Sequence, residues 1–142
     1  MNYYTGNIIP EENTIFVFGS NTEGRHGKGA AKVALNQFNA QYGNPKGIQG
    51  NSYAIITKDL SKGYRSIDKS LIKEQIKELY EYAILNPNLK FKIAYRNTTN
   101  KTLSGYTGIE MVKLFLSFNV PDNIYFSEEW KDLINEIRNN TL

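Results

Sequence analysis

The 142-residue sequence has no cysteine, one histidine, one tryptophan and four prolines. Without cysteine there is neither a disulfide framework nor a thiolate metal site. A single imidazole excludes a multi-histidine centre, so no metal and no cofactor is expected. No run reaches the roughly 18 apolar residues that cross a bilayer. The opening Met-Asn-Tyr-Tyr-Thr-Gly lacks the basic and apolar regions of a signal peptide. Neither charge sign dominates, since 17 Lys and Arg stand against 14 Asp and Glu for a net charge of +3. These charges are mixed along the chain rather than blocked, unlike the footprint of a dedicated nucleic-acid binder. What remains is a cytoplasmic protein with no membrane partner, whose mild positive potential favours small anions.

With 40% apolar and 13% aromatic residues the chain has the material for a core. Its length suits one domain over residues 1–142 that buries about two-thirds of its unfolded surface. Apolar patterning alternates between strand and helix. Strands are expected at Thr14–Phe18, Ser52–Thr57, Lys90–Tyr95 and Asn123–Phe126. Helices are expected at Gly29–Tyr42, Ile67–Leu85, Ile109–Phe118 and Trp130–Arg138. The second of these presents Leu71, Ile72, Ile76, Leu79, Tyr80 and Ala83 on one face. Gly43–Gly50 reads as a turn-rich loop, and Ser127 as an N-cap followed by two acids. Strands and helices alternating at this spacing predict an α/β fold with a largely parallel sheet.

The most informative stretch is Phe16-Val-Phe-Gly-Ser-Asn-Thr-Glu-Gly-Arg-His-Gly-Lys-Gly-Ala-Ala31. An apolar strand ends at Gly19, glycines follow at 24, 27 and 29, and a helical pattern begins. A strand feeding a glycine-rich loop that opens a helix brings backbone N–H groups and the positive helix end to a phosphate. Two familiar phosphate loops are excluded by spacing. Gly27-Lys28 is followed by Gly29 rather than Ser or Thr, and the glycine order reverses the dinucleotide fingerprint. In a parallel sheet ligands sit beyond the carboxyl ends of the strands. That edge would gather Gly19–Gly29, Thr57–Asp59, Arg96–Tyr106 and Phe126–Ser127.

Taken in order, these pieces resemble the macro domain, a family that binds ADP-ribose. Gly6-Asn7-Ile8 stands where the family has Gly-Asp-Ile, and Asn21 follows Gly6 at the family's separation of fifteen positions. Gly24–Ala31 matches the glycine loop and helix, Asn97–Tyr106 a second loop ending in Gly105-Tyr106, and Ile124–Ile134 the closing strand and helix. The chain is also similar to small macro-like proteins common in phage genomes, which would place it in a host cytoplasm.

The resemblance implies a three-layer α/β/α sandwich with a mixed, largely parallel sheet. It implies a small-molecule nucleotide ligand of the ADP-ribose type. By position, Asn7 and Ile8 would meet adenine, and Phe126 would pack against it. Asn21 would contact the distal ribose beside Gly19 and Ser20. Gly24, Gly27, Gly29 and Ala30 would offer backbone donors to the diphosphate, with Arg25 and Lys28 as charge partners. Asn97, Gly105 and Tyr106 would close from the other side. The charged first loop and longer second loop depart from the family, which points to a ligand altered at its distal end.

Binding without chemistry is the leading expectation. The alternatives are an ADP-ribosyl hydrolase, with Asn21, His26 or Asp59 orienting a water, and a phage protein that sequesters a nucleotide immune signal. His26 is read as an exposed loop residue near the phosphates. Single-stranded nucleic acid is the weakest partner, and the sequence does not specify an oligomeric state.

Overall fold

The computed structural model describes residues 1–62, 66–95 and 105–140. Among these residues six strands form one sheet: β1 (Asn2–Tyr4), β2 (Thr14–Asn21), β3 (Gly47–Gln49), β4 (Ser52–Lys58), β5 (Lys90–Ile93) and β6 (Ile124–Ser127). Four helices accompany them: α1 (Gly29–Gln37), α2 (Lys69–Leu85), α3 (Gly108–Phe115) and α4 (Lys131–Asn140), the last preceded by a 3₁₀ turn over Glu128–Trp130. The strand order is β1-β6-β5-β2-β4-β3. All neighbours pair in parallel except β3 with β4. Five strands therefore deliver their carboxyl ends to one edge.

The sheet is covered on both faces, which is why β2 carries a continuous apolar run, Ile15–Phe18, instead of alternating with polar residues. Successive side chains of β2 enter different cores. Ile15 and Val17 join a large cluster with Tyr53, Ile55, Phe91, Ile93, Ile124 and Phe126, closed by α2, α3, Trp130 and α4. Phe16 and Phe18 join a smaller cluster with Tyr4, Ile8, Ala54 and the Ala31 and Ala34 face of α1. The rings of Phe16 and Phe38 stack there at 4.5 Å. This is an α/β/α sandwich with a mixed, mostly parallel sheet, as the alternating pattern predicts.

Local departures have local causes. The first helix stops at Gln37 rather than Tyr42, because Asn39 adopts φ +59° and turns the chain so that Ala40 N–H reaches Ala34 O at 3.1 Å. The presumed loop at Gly43–Gly50 contains β3, and the polar segment Asn2–Tyr4 forms β1. Leu71, expected to face inward, is 52% exposed, whereas Ile72, Ile76, Leu79, Tyr80 and Ala83 are buried. A capping box starts α3, with Thr107 Oγ1 accepting from Glu110 N–H and the Glu110 carboxylate accepting from Thr107 N–H. Ser127 caps the 3₁₀ turn through Glu129 N–H.

Candidate functional site

The carboxyl ends of β2, β4 and β5 meet at Gly19, Thr57 and Tyr95. A Cβ built on Gly19 would come closer than 3.0 Å to the Tyr95 hydroxyl and to 3.0 Å from Thr57 Oγ1. Gly19 therefore makes room for a tyrosine rather than for a ligand. Thr57 donates its hydroxyl hydrogen to Ser20 O at 3.2 Å, and its side chain also hydrogen-bonds the Tyr95 phenol. Burial pushes that phenol up to about 12, with the Thr57 hydrogen bond acting in the opposite direction. The Tyr95 ring lies parallel to Trp130 at 6.4 Å and tilts against Phe115 at 6.1 Å. Just beyond this chain of hydroxyls the β2–β4 register shifts between Ser20 and Asn21, which re-aims the strand into the glycine loop.

Asn21 shapes the start of that loop. Its Oδ1 accepts from Glu23 N–H (3.2 Å) and Arg25 N–H (2.9 Å), while its Nδ2 donates to Arg25 O (2.9 Å). This role occupies the oxygen twice and leaves one amide hydrogen for any other contact. Gly24 adopts φ +64°, and a Cβ there would strike the backbone of Gly43 and Asn44 at 2.6 Å. Gly43 N–H bonds Gly24 O at 2.8 Å, docking the two loops backbone to backbone.

His26 is buried completely, which corrects its reading as an exposed residue beside the phosphates. Its Nε2 lies 3.1 Å from both Asn44 O and Gln49 Oε1. Its ring meets Phe18 edge-on at 5.2 Å. Arg25 pairs at 3.4 Å with Glu23 on the solvent side.

Past His26 the chain opens. A Cβ on Gly27 meets nothing within 4 Å. Lys28 is the exposed N-cap of α1, has no acceptor to offer the helix, and is followed by no acid in the first turn. The first intrahelical bond runs from Lys32 N–H to Lys28 O at 3.3 Å. The N–H groups of Gly29, Ala30 and Ala31 thus precede it at the positive end of the helix.

The other expected contacts divide. Asn7 is exposed beside buried Ile8, which belongs to the small core. Tyr106 is buried with its hydroxyl donating to Ile67 O at 2.8 Å, so it closes on the start of α2. Gly105 is buried beside it with φ +91°. Phe126 is fully buried between Phe115 and Trp130, which leaves no face for adenine. Asp59 caps its own turn, accepting from Ser61 N–H (3.0 Å) and Ser61 Oγ (2.7 Å). The Ser61 hydroxyl chiefly holds its carboxyl below the usual range, which weakens it as a base. Asn97 and the rest of 96–104 lie outside the described residues.

Sequence reasoning missed Tyr95 and Gln49, and placed Thr57 at this edge without giving it a role. The glycine at 19 was the only signal for Tyr95, and it was attributed to ligand approach. Among the described residues no group of three His, Cys, Asp or Glu could hold a metal ion, and no helix is long and apolar enough to cross a membrane.

A shallow depression of about 500 Å³ lies at the opposite edge, between the end of α2 and the start of β6. The Asn123 amide at its floor already donates to Ala83 O, Asn86 O and Leu89 O at 2.9–3.0 Å. No protein-family model, curated protein or solved structure matches the chain.

Proposed function

We propose that the protein binds ADP-ribose, or a related NAD-derived adenine nucleotide, in a macro-like cleft at the carboxyl edge of the sheet. The observation that carries this reading is the first loop. Asn21 and His26 fix its backbone, and it ends in an unobstructed Gly27, a cationic Lys28 and a helix end with no side-chain acceptor. A diphosphate placed there meets backbone donors, about half a positive charge from the helix and a full one from Lys28. The collinear likeness to macro domains supplies the ligand class. Binding without turnover is favoured over hydrolysis, because His26 is enclosed and Asp59 is engaged in its own turn.

Calorimetric titration with ADP-ribose tests the proposal. Wild-type protein is expected to bind in the micromolar range, near −8 kcal/mol. Gly27→Glu, whose Cβ enters open space, should lose about tenfold or more in affinity with its melting temperature unchanged. Absence of binding by the wild type, or equal affinity in the variant, would overturn the assignment.

A further inference from the structure

His26 is the one buried side chain in a loop whose other side chains, Thr22, Glu23, Arg25 and Lys28, face solvent. Both groups near its Nε2 are acceptors. Asn44 contributes a backbone carbonyl, and the orientation of the Gln49 amide is fixed by its neighbours. Gln41 N–H donates to Gln49 Oε1 at 2.9 Å, and Gln49 Nε2 donates to Asn44 O at 3.1 Å. The proton must then sit on Nε2, shared between Asn44 O and Gln49 Oε1. Nδ1 has no hydrogen-bond partner, so the imidazole acts through one donor and its shape. That donor lies one residue before Gly27, the point at which the chain turns toward α1.

We propose that His26 is a positioning residue, which in its Nε2–H tautomer clamps the 22–28 loop to Asn44 and Gln49 and presets the N-terminus of α1 for its ligand. The clamp joins segments 18 and 23 residues apart, and the Gly24–Gly43 contact lies beside it. With the loop held before ligand arrives, its ordering is not charged against binding. The affinity part of this proposal rests on the nucleotide reading, whereas the clamp itself does not.

The test uses the uniqueness of this histidine, because a long-range ¹H–¹⁵N imidazole spectrum of the full chain contains one ring. It should show Nε2 protonated and Nδ1 bare. Amide exchange then reads the clamp in ligand-free protein at Gly43 N–H and Arg25 N–H. His26→Phe keeps a ring but removes the donor, and should lower protection at both amides by about tenfold while α2 stays protected. ADP-ribose affinity of the folded protein should fall about tenfold with it. His26→Gln restores a donor and, like Nδ1, leaves one acceptor unpaired, so it should recover most of both losses.

Gln49→Leu breaks the clamp from the far side. It also removes the bonds to Gln41 N–H and Asn44 O, so it should lower protection at least as far as His26→Phe, with the double variant losing less than the sum of the two, as coupled partners require. A proton on Nδ1, unchanged protection in His26→Phe, or equal behaviour of the Phe and Gln variants would overturn the proposal. If wild-type protein fails to bind ADP-ribose, the nucleotide reading falls and the exchange results still decide the clamp.

Discussion

Replacing Gly19 by alanine adds one carbon at the most crowded point of the carboxyl edge. The new Cβ would press on the Tyr95 hydroxyl at less than 3.0 Å and on Thr57 Oγ1 at 3.0 Å, while the Tyr95 ring carbon Cζ would sit at 3.4 Å, an ordinary contact. The tyrosine has little room to retreat, since Trp130 and Phe115 pack against its ring. Overpacking of this kind costs about 1–3 kcal/mol. Displacing the phenol from Thr57 adds about 1 kcal/mol for the lost hydrogen bond. The expected destabilisation is thus about 2–4 kcal/mol, or roughly 6–12 °C in Tm for a chain of this length. The same geometry predicts a rescue. In a Tyr95→Phe background the offending oxygen is gone and the ring carbon fits, so Gly19→Ala should cost less than about 1 kcal/mol there. Urea unfolding of the four proteins measures the coupling directly. A cost of Gly19→Ala that is the same with and without the phenol would refute the reasoning.

Asn21→Ala removes the side chain that satisfies two loop N–H groups, and should cost about 1 kcal/mol while weakening nucleotide binding through the loop. Thermal melts and calorimetry check the two effects together. Asn123→Ala removes a donor from three carbonyls beneath the opposite depression, of which Ala83 O and Asn86 O keep the N–H groups of Asn86 and Leu89, and about 1 kcal/mol should be lost in urea unfolding; a loss below about 0.5 kcal/mol would show that water replaces the amide. Burial pushes the Tyr53 and Tyr95 phenols up to about 12 and raises Tyr80 as well. The folded chain therefore keeps protons that the unfolded chain releases near its ordinary value of 10.0. This stabilisation is fully present below about pH 10 and is lost as pH rises towards 12. The urea midpoint should fall between pH 9 and pH 11, and less steeply in Tyr95→Phe.

Elements governed by local patterning were legible in the sequence. The unbroken apolar run of β2 announces a strand buried on both faces, and the 3.6-residue spacing of α2 and α3 announces their inward faces. Where one residue decided an outcome, patterning misled. Asn39 in a left-handed conformation ends α1 early, and Leu71 sits on the rim of the apolar face of α2. β1 and β3 contain three residues each, too few for a period to declare itself. The glycine loop was legible as a strand-to-helix connection, whereas the roles of single residues within it were not. His26 looked exposed because its neighbours Arg25 and Lys28 are charged, while the acceptors that hold it come from 18 and 23 positions away. Asn21 and Gly19 fit a ligand-facing motif equally well as structural residues, and only their contacts distinguish the two uses. Phe126 alternates with Tyr125 along β6, and register alone assigns Phe126 to the large core.

The pairing of β1 with β6 carries a consequence for how the chain reaches this structure. Asn2 aligns with Tyr125 and Tyr4 with Ser127, so the first strand finds its partner about 120 residues later in the chain. At a synthesis rate of roughly 5–20 residues per second, β1 leaves the ribosome on the order of ten seconds before β6 exists. During that interval β2 and β4 can already pair, while β1 waits with unmatched backbone groups. Its brevity and its polar Asn2 limit the danger of a wrong partner in that interval. The β1–β6 ladder can form only once both strands exist, so residues 2–4 take their place beside residues 125–127 late in synthesis.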